Sequence, residues 1–248
     1  MSIEEVRKTN KDWECELLDW TNNKISYWSY EPFSEGYWNE KYKTVFCNEE
    51  AYGNSGANCV LTLDKFKGWL ELGNRTSKFS ALFLYCLYKQ LHNISITEKQ
   101  LRDLYYNNNE LLDGIRNTTY MNLRKEEKWK EGTSEDKEGI RSSLVSGMKY
   151  FENDEDDRHN KWNRGYTLDF IDALEADIFI ITGETGWDVL KKIYTEIIEL
   201  DKLPMNGMYK IKNTLYVSIF HPRSSNFSYN YIVEKTGAIY DELQKQPN

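Results

Sequence analysis

Residues 177–183 read DIFIITG, and this run decides the fold class. Its apolar residues follow one another without polar alternation, which is typical of a strand that is covered on both faces of a parallel sheet. Residues 214–220, TLYVSIF, have the same character. We therefore predict two interior strands of a sheet that has helices packed against both of its faces.

Strand and helix patterns alternate around these two runs. Residues 44–48 and 117–123 have strand composition, whereas helical patterns cover residues 3–20, 78–91, 137–151, 168–176, 184–200 and 230–243, with one more helix beginning after Thr97 as its N-cap. This order predicts a three-layer α/β/α sandwich around a mainly parallel sheet of about four strands. The sequence contains neither an internal repeat nor a Pro/Gly-rich linker. Residues 1–248 are therefore expected to form one α/β domain, in which residues 1–40 supply an N-terminal helix and an aromatic wrapping segment.

Composition and charge narrow the function classes. The 40 acidic and 32 basic residues give a net charge of −8, which argues against a protein covered in phosphate contacts but allows a local basic groove. The 4 cysteines lack C-x-x-C spacing, so we expect reduced thiols in an intracellular protein, and the 3 scattered histidines predict no metal site. No run approaches the roughly 20 apolar residues that span a bilayer. The expectation is a cytoplasmic monomer that needs no cofactor and no membrane.

Polar clusters follow three of the predicted strands. They read NEEAYG (residues 48–53), NLRK (residues 122–125) and HPRSSN (residues 221–226). In open α/β sheets, ligands bind beyond the carboxyl ends of the strands. The three clusters are therefore expected to meet at one edge of the sheet and to form the functional site.

Each cluster has a structural and a functional interpretation. Glu49 and Glu50 could form an acidic turn, or could supply a general base whose pKa the neighbouring acid raises. Asn122 could hold a loop, or could read the edge of a nucleobase with its amide. His221 could cap the last helix, or could donate as a neutral imidazole to a developing oxyanion.

Taken in this order, the three clusters resemble the motifs of the uracil-DNA glycosylase superfamily. Glu49-Glu50-Ala51-Tyr52-Gly53 is similar to a first motif of the type G-E-A-P-G or G-Q-D-P-Y. The segment YMNLRK resembles a central strand that ends in a base-reading asparagine, and His221-Pro222-Arg223-Ser224 resembles the H-P-S that follows the last strand. The chain departs from the pattern where Glu49 replaces a glycine, Tyr52 a proline and Arg223 a serine.

The resemblance implies a uracil-DNA glycosylase-like fold and a role for each matching residue. Glu50, with Glu49 beside it, would orient the attacking water, and His221 would stabilise the departing base. The implied base-binding residues are Asn122, Gly53 and Tyr52, with Gly53 in the place of a tyrosine that excludes a 5-methyl group. The implied nucleic-acid contacts are Arg223, Ser224, Arg124 and Lys125. A stacking aromatic would be Phe66, Trp69 or Phe79, and a duplex wedge Phe227 or Tyr229.

The implied activity is hydrolysis of the N-glycosidic bond of a damaged or deaminated base in DNA, as in base excision repair. The base would be flipped into the pocket at the strand ends. Two alternatives stay open. The same fold could be an inactive module that binds nucleic acid, a nucleotide or a protein, or the carboxylate pair could hydrolyse a free nucleoside or another glycoside.

Overall fold

The computed structural model describes Glu4 and residues 32–52, 62–128, 174–183, 207–211 and 213–245. Within these ranges it describes only the backbone of residues 49–52 and 122–128. Glu4 is helical, and the rest of the helix expected over residues 3–20 lies outside the described residues. The helices expected over residues 137–151 and 184–200 lie outside them too, as do Gly53 and most of the helix expected over residues 168–176.

The centre of the fold is a mixed sheet of five strands. They are β1 (Thr44–Tyr52), β2 (Thr119–Lys128), β3 (Ile178–Thr182), β4 (Met208–Ile211) and β5 (Thr214–Ile219), in the spatial order β2-β1-β3-β5-β4. The first four in that order run parallel, and β4 pairs antiparallel with β5 at one border of the sheet. The chain therefore has an α/β fold, as predicted, with one more strand than expected, because the short strand β4 was not anticipated.

The described residues also form a 3-10 helix at Glu35–Asn39 and five α-helices. They are α1 (Leu63–Glu71), α2 (Arg75–Leu91), α3 (Glu98–Leu104), α4 (Asn108–Ile115) and α5 (Tyr229–Gln244). Thr97 caps α3 in a capping box with Gln100, which confirms the predicted N-cap. α5 is also confirmed, and α2 begins three residues earlier than expected because Asn74 accepts a hydrogen bond from the backbone of Ser77.

Both faces of the central strands are buried. On one face, Phe46, Ile180 and Val217 belong to a core cluster that they share with residues of α2 and α5. Phe179 and Ile181, which alternate with Ile180 along β3, are also fully buried. The burial of every residue of β3 confirms that DIFIITG forms a doubly covered strand.

The first two strands extend further than their apolar residues predicted. β1 continues through Glu49, Glu50 and Tyr52, which were expected in a turn, so these residues lie inside a strand. Asn122 was expected at a strand end but lies within β2, and the strand also includes Arg124 and Lys125, which were expected in a loop or a solvated stretch. β3 pairs with β1 only as far as Cys47, and from Asn48 onward the ladder joins β1 to β2 alone. We call this two-stranded extension, residues 48–52 with 122–128, the β1–β2 ribbon.

Three further expectations can be compared with the described residues. Cys47 and Cys86 are both buried thiols. Across the described ranges, no group of three or more histidine, cysteine or acidic residues could hold a metal ion. In the same ranges, no helix has the length and apolar character needed to cross a bilayer.

Candidate functional site at the carboxyl edge of the sheet

The strand order defines a switch point at the carboxyl edge of the sheet. From β1 the chain adds β2 on one side and β3 followed by β5 on the other, so the direction of winding reverses between β1 and β3. Cys47 pairs with Ile181, and Thr182 pairs with Ile219, so Asn48, Thr182 and Ile219 lie at the same level. A crevice at such a reversal is the usual ligand site of this architecture.

A buried chain of polar side chains occupies the switch point. The Thr182 hydroxyl donates to Asn48 Oδ1 at 3.0 Å, and Asn48 Nδ2 donates to the Tyr120 hydroxyl. All three side chains are buried. Burial raises the pKa of Tyr120, and the hydrogen bond from Asn48 opposes that rise only in part. The phenol is therefore neutral, and the two bonds fix the orientation of the Asn48 amide.

The segment after β5 forms a compact turn that leads into α5. The amide of Ser224 donates to the His221 carbonyl at 2.8 Å, and the amide of Phe227 donates to the Ser224 carbonyl at 3.1 Å. Ser224 Oγ also accepts from the amide of Asn226, and Ser228 caps α5. These backbone bonds hold His221 at the carboxyl end of β5.

His221 is prepared as a neutral hydrogen-bond donor. The backbone N–H of Arg223 donates to His221 Nδ1 at 3.1 Å, so the proton of the neutral ring resides on Nε2. Burial of the ring, and secondly the positive charge of Arg223, lower the pKa of His221 to about 4. At neutral pH the ring can therefore donate from Nε2, as an oxyanion stabiliser must, without carrying a charge.

The other two predicted site residues of the third cluster have clear structural roles. Arg223 is exposed, and its Nε donates to Thr76 Oγ1 at 3.0 Å, which ties the turn to the first turn of α2. Ser224 holds the turn itself through the bonds described above. Arg223 is thus positioned at the border of the edge, and part of its hydrogen-bonding capacity is already used.

Most of the aromatic residues proposed for stacking lie in the core. Phe66 is fully buried and packs edge-on against Tyr120 at 5.2 Å between ring centroids, and Phe79 is 7% exposed. Phe227 is 1% exposed and packs against Phe79 and Phe83, so it cannot act as a duplex wedge. The assignments of these three rings are wrong because all three belong to the core cluster, where they cannot contact a base. Trp69 and Tyr229 are only partly buried.

The remaining predicted site residues are described by their backbone. The β1–β2 register pairs Asn48 with Asn122 and Glu50 with Arg124, and Lys125 follows within β2. Glu50 and His221 each lie two residues beyond the common level, counted from Asn48 and Ile219 respectively. The edge thus brings together the strands of all three clusters.

Sequence reasoning missed the most ordered polar group of the edge. Asn48 was considered only as the first residue of the cluster NEEAYG, and Thr182 and Tyr120 only as members of predicted strands. The available signal was that Asn48 and Thr182 each end an apolar run with a polar residue.

No protein-family model matches the sequence, and no curated protein matches it either. The geometry of the edge is therefore the basis for a functional assignment.

Proposed function

We propose that this protein is a divergent member of the uracil-DNA glycosylase superfamily, with the three-layer fold of that group, and that it hydrolyses the N-glycosidic bond of a damaged or deaminated base in DNA. The observation that carries the proposal is the state of His221. It is held as a neutral Nε2–H donor at the carboxyl edge of a parallel sheet. The β1–β2 ribbon at the same edge carries Glu50 and Asn122.

The spacing at the edge suits a base-sized ligand. Glu50 lies near the end of β1 and His221 follows β5, and these two strands are separated by β3 alone. Two strand spacings amount to about 10 Å between the backbones. A nucleobase flanked by one side chain on each side fills such a gap, whereas a direct contact between the two residues would need a shorter one.

In the proposed reaction, Glu50 orients a water molecule and accepts its proton as the water adds to the sugar C1′. The bond between C1′ and the base nitrogen breaks, and its electron pair leaves with the base. His221 Nε2–H donates to the oxygen on which the departing base concentrates negative charge. Asn122 reads the base edge, with Gly53 and Tyr52 beside it, and Glu49 supports the water. Arg124, Lys125, Arg223 and Ser224 contact the phosphates on either side of the flipped nucleotide.

The test is release of uracil from single-stranded and double-stranded oligonucleotides, read as abasic sites that alkali cleaves. We expect Glu50→Gln to lower the rate about 10²–10⁴-fold and His221→Gln about 10²–10³-fold, which are the losses typical of a general base and of one oxyanion donor. Arg116→Ala is the matched control, because Arg116 is an exposed residue that pairs with Asp113. No abasic product from uracil or any other deaminated base, at high protein concentration, would rule the activity out.

A second candidate is an inactive binding module of the same fold. It is favoured by the position of Glu49 and Glu50 inside the paired strand β1, where the superfamily motif would have a glycine before the acid. This candidate predicts oligonucleotide binding that survives Glu50→Gln and His221→Gln together, with no turnover by the unchanged protein. Turnover of free deoxyuridine that is independent of DNA would instead indicate a nucleoside hydrolase.

A further inference from the structure

A cationic and aromatic surface lies next to the His221 turn. It is formed by the start of α2, the end of α3 and the start of α5, and we call it the arginine–tyrosine surface: Arg75, Arg102, Tyr105, Tyr106 and Tyr229. Arg75, Arg102 and Tyr106 are exposed, whereas Tyr105 and Tyr229 are half-buried. The surface thus combines two arginine side chains with three tyrosine rings.

The contacts within this surface hold its members in place. The Arg102 guanidinium lies over the Tyr229 ring, and the Arg75 guanidinium over the Phe79 ring, each at 4.8 Å from the ring centroid. Tyr105 packs nearly perpendicular to Tyr106 at 5.2 Å and to Tyr229 at 6.5 Å. Two cations are therefore held on ring faces, as cation–π contacts require.

Tyr106 is the outlying member of this group. It is 85% exposed, although a tyrosine ring usually buries a large part of its area. Its ring packs against Tyr105 alone among the ring contacts of the described residues. A large ring that is exposed to this extent is available to stack on a planar group of a ligand.

The surface is positively charged within an acidic protein. Arg102 forms an ion pair with Glu98, whereas no described residue forms an ion pair with Arg75. The first turns of α2 and α5 contain no acidic residue. Both arginines lower the pKa of Tyr229, against the larger effect of burial, so their fields overlap at its hydroxyl. A local positive field on a chain of net charge −8 favours an anionic partner.

The surface is continuous with the edge of the sheet. Arg223, two residues after His221, donates to Thr76, and Thr76 is the neighbour of Arg75 in the first turn of α2. Tyr229 is the first residue of the helix that the His221 turn leads into. A strand bound at the edge would therefore reach the arginine–tyrosine surface without crossing an intervening element.

We propose that the arginine–tyrosine surface binds single-stranded nucleic acid and carries the strand that leads to the candidate site. Arg75 and Arg102 contact phosphates, and an unpaired base stacks on Tyr106. A duplex fits less well because its bases are already stacked and cannot cover an exposed ring. A protein partner fits less well because the exposed members of the surface are two arginines and one ring, and not a contiguous set of apolar side chains. The proposal rests on the proposed function only in naming nucleic acid as the partner.

The test is fluorescence anisotropy with a labelled oligothymidine, which contains no deaminated base. We expect Tyr106→Ala to weaken binding about tenfold and Tyr106→Phe to leave it unchanged, because stacking needs only the ring. With a strand of abasic residues, Tyr106→Ala should have no effect. Arg75→Ala should weaken binding and reduce the slope of log K against log salt by about 0.7, the value for one phosphate contact on a single strand.

Lys245→Ala is the matched control, since Lys245 follows the opposite end of α5, about 24 Å from Tyr229 along the helix axis. The proposal is overturned if the unchanged protein does not bind at low salt, if binding resists Tyr106→Ala and Arg75→Ala together, or if duplex or polyglutamate binds as tightly in a Tyr106-dependent manner. Since the anisotropy assay measures binding and not turnover, a negative result leaves the uracil-release assay unaffected. Absence of uracil release likewise leaves the binding result intact.

Discussion

Acidification should destabilise the protein through His221 in a defined pH window. The pKa of this ring falls from an ordinary value of 6.5 in the unfolded chain to about 4 in the folded protein. Between these two values the unfolded state binds more protons than the folded state, so the free energy of unfolding increases with pH. The contribution of His221 is fully present above pH 6.5 and is lost as the pH falls towards 4.

The size of the effect follows from the pKa difference. At 1.36 kcal/mol per pKa unit, the complete loss amounts to about 3 kcal/mol, of which about 2 kcal/mol is lost by pH 5. Such a change is a large fraction of the stability of an ordinary domain. Carboxylates titrate in the same range, so only the difference between the unchanged protein and a His221 variant reports on this ring.

Urea unfolding at pH 5 and pH 7.5 measures the effect. We expect the unchanged protein to lose about 2 kcal/mol more than His221→Gln between these two pH values. Ser224→Ala is the control, because it removes the hydrogen bond from the Asn226 amide in the same turn and introduces no titrating group. It should lower stability by the same amount at both pH values. Equal pH dependence in the unchanged protein and in His221→Gln would refute the burial of a neutral ring at this position.

Two further predictions concern the packing behind the site. Thr182→Val should lower the free energy of unfolding by about 1–3 kcal/mol, because it leaves Asn48 Oδ1 buried without its donor. A double-mutant cycle with Asn48→Ala should give a coupling energy and not additive losses. Gly114→Ala should lower the free energy of unfolding by about 1–3 kcal/mol, because the new Cβ would lie 2.8 Å from the backbone Cα of Tyr85. Gly68→Ala in α1 should raise it by about 0.5–1 kcal/mol, because the new Cβ meets open space. Thermal or urea unfolding of the two glycine variants, compared side by side, checks the second prediction, and a Gly114→Ala protein as stable as Gly68→Ala would contradict it.

The elements that sequence predicted well are those whose signal is local. DIFIITG and TLYVSIF are strands because their apolar residues are continuous, and Thr97 caps a helix because its hydroxyl and Gln100 form the capping box. Helices α1 and α4 also had local signals that were overlooked. Thr62 precedes apolar residues at helical spacing, Leu63, Phe66 and Leu70, and Asn107 precedes a similar pattern in α4.

The elements that sequence predicted badly depend on partners elsewhere in the chain. β4 has four residues, of which none is buried, and it is ordered by pairing with β5 across a two-residue connection. The β1–β2 ribbon is polar, so its residues fit a loop by composition. They form a ladder because the parallel register already set between Val45 and Thr119 continues through Glu50 and Arg124. Register of this kind is a property of two strands, and neither strand reveals it alone.

The same distinction applies to the candidate site. His221 was selected from its position after a buried strand, but its tautomer and its low pKa come from the Arg223 amide and from burial, which a sequence does not specify. Glu50 and Asn122 were selected for the same reason, and the strand order brings their strands together. The sequence therefore indicated which strands carry the candidate residues, and the fold determined the protonation state of His221.

The polar chain through Asn48 gives the edge its rigidity. An apolar residue at position 48 would continue the run Val45-Phe46-Cys47 and would leave no buried polar group to satisfy. Instead, the amide is held between Thr182 on β3 and Tyr120 on β2, so three neighbouring strands are joined by side chains at the level where β3 ends. A buried polar residue at a position that an apolar residue would fill is expected at functional sites, because it adds no packing that an apolar residue would not supply. Asn48 is also the residue from which the β1–β2 ribbon starts, so its fixed amide lies two residues before Glu50 on the same strand.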